Sequence, residues 1–120
     1  MTPTIVMKEH ELFFTTGSPG GSRIISAVLQ SILNIVDFDM NLEKATFAKR
    51  IHHQWQPDIL EIELSVNEKV KSELESMGYL IEIKDPLTCI QTIMYEDGKY
   101  TGYGDFRRPD ALASGNIHDR

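Results

Sequence analysis

At 120 residues with 41% apolar side chains, the chain is long enough for one domain with a modest core and too short for two. Its 12 basic and 18 acidic residues leave a net charge of -6, which excludes a phosphate-neutralising surface and makes nucleic acid a poor partner. The one thiol, Cys89, has no partner for an internal disulfide, so the compartment stays open, and no apolar run approaches the ~20 residues of a membrane span.

In chain order, two β-rich runs, Thr4 to Lys8 and Leu12 to Thr16, flank the polar Glu9-His10-Glu11 and predict a hairpin. Gly17-Ser18-Pro19-Gly20-Gly21-Ser22 stops the second strand. From Arg23 to about Asp37, apolar residues recur every three or four positions, which predicts a helix lying on a sheet. Asn41 caps a second, short helix through Ala48, with Leu42, Ala45 and Ala48 inward. Ile51 to Pro57 reads as extended, Pro57-Asp58 as a turn, and Ile59 to Leu64 as a strand.

Ser65 and Glu68 have the spacing of a capping box, and the helix they would open carries Val66, Val70, Leu74 and Met77 on one face. Gly78 suits the left-handed position that ends it. Tyr79 to Lys84 reads as a strand broken by Asp85-Pro86. Cys89 to Tyr95 and Lys99 to Gly104 read as a second hairpin around Glu96-Asp97-Gly98. The turn-rich tail from Asp105 is expected on the surface. The pattern predicts a layered α+β arrangement, with strand order unspecified.

The segment that points most directly to chemistry is Thr16 to Arg23, where Gly20 and Gly21 precede a long apolar helix. Unpaired N–H groups and the helix dipole attract negative charge there, so the junction would suit a carboxylate, a phosphate or the oxyanion of a tetrahedral intermediate. The spacing matches neither the dinucleotide fingerprint nor the P-loop. Local pattern alone favours a tight strand-to-helix turn with no ligand.

His52 and His53 would point to opposite faces of a strand, so they do not suggest a shared metal ion, and one of them is expected to be packed and hydrogen-bonded. Thr16 and Ser22 read as caps rather than nucleophiles. Trp55 reads as buried or interfacial. Asp105, Arg107 and Arg108 read as a solvated charge cluster, with Arg23 as one conceivable partner.

Three stretches carry a resemblance to a known family. Thr2-Pro3-Thr4-Ile5-Val6, Thr16-Gly17-Ser18-Pro19-Gly20-Gly21-Ser22-Arg23-Ile24 and Arg50-Ile51-His52-His53-Gln54-Trp55-Gln56-Pro57-Asp58 resemble, in order, blocks of γ-glutamyltranspeptidase. Leu74 to Tyr79, Gln91 to Met94 and Gly104 to Pro109 continue the similarity. Phe106 departs from it, because a small residue or proline is usual at that place.

The resemblance implies an α+β piece of the four-layer αββα N-terminal-nucleophile hydrolase fold, with residues 1–120 as one domain in the C-terminal part of the small subunit. It implies that Gly20 and Gly21 give backbone N–H groups to the oxyanion hole. The threonine nucleophile and the serine pair that binds the substrate's α-carboxylate would lie before Met1. The implied partners are the rest of the small subunit, the large subunit and a γ-glutamyl substrate such as glutathione, with no metal or organic cofactor. The compartment would be periplasmic or extracellular if the parent resembles bacterial members. Alternatives are a stand-alone module binding an anion or a partner strand, prone to self-association through open sheet edges, and a piece of a related acylase.

Overall fold

The computed structural model describes residues 3–64 and 66–115. The chain opens with β1 (Thr4–Lys8) and β2 (Glu11–Gly17), then α1 (Arg23–Val36), α2 (Leu42–Phe47), β3 (Ile51–His52) and β4 (Leu60–Ile62). It continues with α3 (Glu68–Ser76), β5 (Ile81–Ile83), β6 (Gln91–Glu96) and β7 (Lys99–Tyr103).

Both hairpins form where expected. Each turns on two residues with positive φ, Glu9 and His10 in the first and Asp97 and Gly98 in the second. That handedness matches the twist of the strands it joins. The hairpins merge into one antiparallel sheet of order β1-β2-β6-β7, because β2 pairs with β6 from Phe14↔Met94 to Gly17↔Gln91.

One face of this sheet is covered by α1 and α2. Phe14 and Met94 meet Ile35 of α1 and Leu42 and Ala45 of α2, with Ile32, Met40 and Tyr103 around them. Asn41 caps α2 as expected, its side chain accepting from the Lys44 N–H at 2.8 Å. Ala48 is only half-buried, and the buried position is instead Thr46, whose hydroxyl donates to the Leu42 carbonyl. The opposite sheet face leaves Ile5, Ile93 and Tyr100 exposed.

A second, small sheet has order β3-β4-β5, antiparallel between β3 and β4 and parallel between β4 and β5. Parallel neighbours need a crossover, and α3 is that crossover. The extended run expected from Ile51 to Pro57 ends at His52. Trp55 takes a left-handed φ of 71°, and the Gln56 N–H closes a tight turn on the Gln54 carbonyl.

The helix α3 also differs from expectation at its start. Asn67 caps it by accepting from the Lys69 N–H, so the helix begins at Glu68 rather than at Val66, and Ser65 lies outside the described residues. None of its residues is buried; Val70 and Met77 are exposed, because one apolar residue per turn among so many charges is too thin a stripe to hold the helix down. Its C-terminus does follow expectation. The Tyr79 N–H reaches back to the Leu74 carbonyl and the Gly78 N–H to the Glu75 carbonyl, with Gly78 at φ +97°.

A Cβ on Gly78 would touch nothing, so its cost is conformational only. Gly78→Ala is expected to lower unfolding free energy by about 1 kcal/mol, read from urea denaturation, with the fold retained.

Candidate active site at the glycine turn

β2 runs into the turn through Gly17 and Ser18, both buried, and the chain emerges at Pro19, Gly20 and Gly21, all exposed. Gly20 has φ +123° and Gly21 φ +60°, conformations that side chains with a Cβ resist. At Gly20 the restriction is also steric, since a Cβ there would sit 2.8 Å from Thr88 Oγ1. At Gly21 a Cβ would meet nothing within 4 Å, so the space beside it is open.

The carbonyls of this turn are engaged. The Gly20 carbonyl accepts from the Arg23 N–H and the Gly21 carbonyl from the Ile24 N–H, each at 3.2 Å. The Gly20 and Gly21 N–H groups donate to no acceptor among the described residues. Two free donors therefore stand ahead of the 14-residue helix α1, where the dipole favours negative charge.

Arg23, on the first turn of α1, is held away from that position. Its guanidinium forms a two-pronged pair with Glu61 on β4, Nε to Oε2 at 2.6 Å and Nη2 to Oε1 at 2.5 Å, and Lys84 approaches the same carboxylate at 3.4 Å. The hydrogen bonds from Arg23 hold the Glu61 carboxyl below the usual carboxylate range, outweighing partial burial, and the same bonds raise Arg23.

Other expected roles change. Ser22 makes no capping bond, and Thr16 lies within β2, where its hydroxyl meets that of Thr92 at 2.7 Å. Trp55 is 77% exposed, because the left-handed turn lifts it off the surface. Of the histidine pair, His52 is the packed one. Gln54 Nε2 donates to the Gln56 carbonyl, which leaves Gln54 Oε1 facing His52 Nε2 at 3.0 Å, so Nε2 carries the hydrogen and Nδ1 accepts from the Ser26 hydroxyl at 2.7 Å. His53 faces away and meets the exposed Asp58. Among the described residues no three His, Cys, Asp or Glu side chains are grouped to hold a metal ion.

The largest departure concerns the cluster expected in solvent. Asp105 is 0% exposed and Arg107 is also buried, and both join Arg50 and Glu63 in a charge-balanced quartet. Arg107 grips Glu63 through Nε and Nη2, both at 2.6 Å, and touches Asp105 Oδ1 at 3.1 Å through Nη1. Arg50 reaches Asp105 Oδ2 at 2.9 Å. Spare donors go to the Thr46, Ala48 and Thr88 carbonyls, and spare carboxylate lone pairs take the Arg50, Leu87, Ile90 and Arg107 N–H groups. No buried side-chain N or O atom among the described residues lacks a partner.

Burial and the like charge of Arg107 push the Arg50 guanidinium down despite Asp105 and Glu63. For Arg107, burial is outweighed by Glu63 and Asp105 together, and it ends raised. Phe106, between two inward residues, points out and lays its ring 4.7 Å from the Arg107 guanidinium and 5.7 Å from the Phe47 ring.

Sequence reasoning missed Arg50, Glu63, Ser18 and Thr88. Arg50 and Glu63 flank short strands and look like ordinary surface charges. The only hint was an Asp and two Arg residues lying close to Gly104, where a Cβ would strike the Ala111 carbonyl. A hollow of about 600 Å³ lies beside Gly17, Gln91 and Thr92, and one of about 830 Å³ beside Phe38 to Lys49; neither is lined by Gly20 or Gly21.

The family profile described as Gamma-glutamyltranspeptidase matches residues 1–115. The chain is 42% identical over 116 residues to the glutathione hydrolase proenzyme of Escherichia coli, covering 96% of this chain and 20% of that protein. It is 32% identical over 122 residues to the acylase ACY 1 proenzyme of a Pseudomonas species, covering 96% of this chain and 21% of that protein. Among solved structures, a mutant of Helicobacter pylori γ-glutamyltranspeptidase superposes with a TM-score of 0.84 at 42% identity, over 90% of this chain and 61% of that one. The chain thus spans about a fifth of the length of the curated relatives it matches.

Two outcomes are expected from the charged groups. Glu63→Gln leaves Arg107 without its main counter-charge and should cost about 3–5 kcal/mol in urea denaturation. Because the folded-state pKa of Glu61 is depressed, its contribution is fully present above the unfolded carboxylate pKa and is lost as pH falls through the folded value. Stability measured from neutral pH down through the acid range should therefore fall less steeply in Glu61→Gln than in the unmodified chain.

Proposed function

This chain belongs to the γ-glutamyltranspeptidase family, and we propose that it is the C-terminal portion of the small subunit of a glutathione hydrolase, residues 1–120 acting as one domain. Its α+β fold is that of the N-terminal-nucleophile hydrolases, and its helix-covered four-stranded sheet corresponds to two layers of their αββα sandwich. In the enzyme, a threonine contributed by chain preceding Met1 adds to the γ-glutamyl carbonyl. Negative charge moves onto the carbonyl oxygen, and the Gly20 and Gly21 N–H groups stabilise it. Collapse expels the amine, which departs with the proton that the threonine's own amino group took from its hydroxyl, and leaves a γ-glutamyl ester that water or an amino acid then resolves.

The observation supporting this reading is the pair of unengaged N–H groups at the head of α1, with open space beside Gly21 and both glycine carbonyls turned back into the helix. Such donors act without reorganisation at the moment of charge development, and each is worth on the order of 3 kcal/mol in the transition state. The serine pair that grips the α-carboxylate belongs to preceding chain, and the arginine that does so to the large subunit. The exposed sheet face with Ile5, Ile93 and Tyr100 is where the rest of the small subunit and the large subunit would pack, and it would drive self-association of the chain alone.

A second reading, favoured by the acylase relative, keeps the same oxyanion turn and replaces the γ-glutamyl group by another acyl group. Comparing a γ-glutamyl anilide with an anilide lacking the α-amino acid head, on the processed enzyme that carries this segment, separates the two.

The isolated 120-residue chain is expected to give no turnover of γ-glutamyl anilide, and turnover at whole-enzyme rates would refute the assignment of the nucleophile to other chain. In the processed enzyme, Gly20→Ala is expected to lower kcat by about 100-fold. A kcat within twofold of the unmodified enzyme would remove Gly20 from the oxyanion hole.

A further inference from the structure

The direction of a peptide N–H is set by the carbonyl of the same peptide, because a trans unit is planar and its C=O and N–H point opposite ways. The two glycine donors are therefore held from behind by different partners. For Gly21, the partner carbonyl is that of Gly20, fastened to the Arg23 N–H by the first turn of α1. For Gly20, the partner carbonyl is that of Pro19, which no helix holds.

That carbonyl is held instead by two hydroxyls. Thr88 Oγ1, on the irregular segment before β6, donates to the Pro19 carbonyl. Ser18 Oγ, fully buried, lies 2.7 Å from the same oxygen and 2.9 Å from Thr88 Oγ1, closing a triangle of oxygens behind the turn. Thr88 is itself anchored, since its backbone carbonyl takes a hydrogen bond from Arg50 of the buried quartet at 2.9 Å. The methine carbon of Thr88 also occupies the place that would limit any Cβ at Gly20, standing 3.2 Å from it.

We propose that Thr88 is a positioning residue for the glycine turn: its hydroxyl pins the Pro19–Gly20 peptide plane and so keeps the Gly20 N–H aimed outward. This rests on the oxyanion reading only for its catalytic consequence; the orientation itself is a property of the chain. Without the hydroxyl, Ser18 alone restrains the plane, and Gly20, unrestricted by a Cβ, permits it to rotate. The Gly21 donor is unaffected, because its plane belongs to α1.

The test compares Thr88→Val, which keeps shape and loses the hydroxyl, with Thr88→Ser, which keeps the hydroxyl. In the full chain, residual dipolar couplings report N–H directions, with Ile90 and Arg107 amides, both tied to Asp105, showing that the fold persists. The expected result is that Thr88→Val changes the Gly20 coupling and leaves that of Gly21, while Thr88→Ser restores the native Gly20 value. An unchanged Gly20 coupling in Thr88→Val overturns the proposal.

In the processed enzyme, Thr88→Val is expected to lower kcat about tenfold with KM within about twofold, and Thr88→Ser to recover most of it. A reoriented Gly20 N–H with undiminished kcat supports the positioning role and counts against the oxyanion assignment, so the two ideas fail separately.

Discussion

Arg50, Glu63, Asp105 and Arg107 sit where the small sheet, the large sheet and the end of α2 meet. Arg50 immediately precedes β3, Glu63 follows β4, and Asp105 and Arg107 follow β7, so the quartet joins the small sheet to the large one. Its guanidinium groups also take the Thr46 and Ala48 carbonyls at the end of α2, which the helix itself leaves unpaired. Two positive and two negative charges cancel, and hydrogen bonds saturate what remains. A set of this kind tolerates burial only when complete, because an unpaired charge in a low-dielectric interior is far more costly than the pair is favourable. It therefore specifies one arrangement of the surrounding elements more than it adds net stability.

From this anchor the influence reaches the glycine turn in two steps. Arg50 holds the Thr88 backbone, and Thr88 holds the Pro19 carbonyl behind Gly20. On the other side, Glu61 and His52 act on α1: Glu61 clasps Arg23 on its first turn, and His52 ties Ser26 to β3. The turn is thus clamped between the head of a helix and a loop fixed by buried charge. Such rigidity suits the oxyanion role proposed for the turn, since donors that must reorganise during reaction stabilise less.

The local elements were legible because their signals are local. Turn residues with positive φ, the Asn41 cap, the 3.6-residue stripe of α1 and the Gly78 terminus all depend on neighbours within a few positions, and each appears within a residue or two of its expected place. The failures share a cause as well. Val70 and Met77 share the one face that their spacing marks as apolar, yet nothing in the described structure covers them. Trp55 reads as buried or interfacial from its size, and a left-handed turn at its own position turns it outward.

The residues alone carry the succession of strands and helices, the two glycines ahead of α1 and membership of the γ-glutamyltranspeptidase family. All of these are carried by residue order along a few contiguous blocks. Only the tertiary structure decided that Asp105 and Arg107 lie inside, that Arg50 and Glu63 complete them, and that Thr88 stands behind Gly20. Those relations span 44 to 69 residues of chain. A charge reveals whether it is solvated or buried only when its distant partners are brought within hydrogen-bonding reach, and no local pattern records that distance.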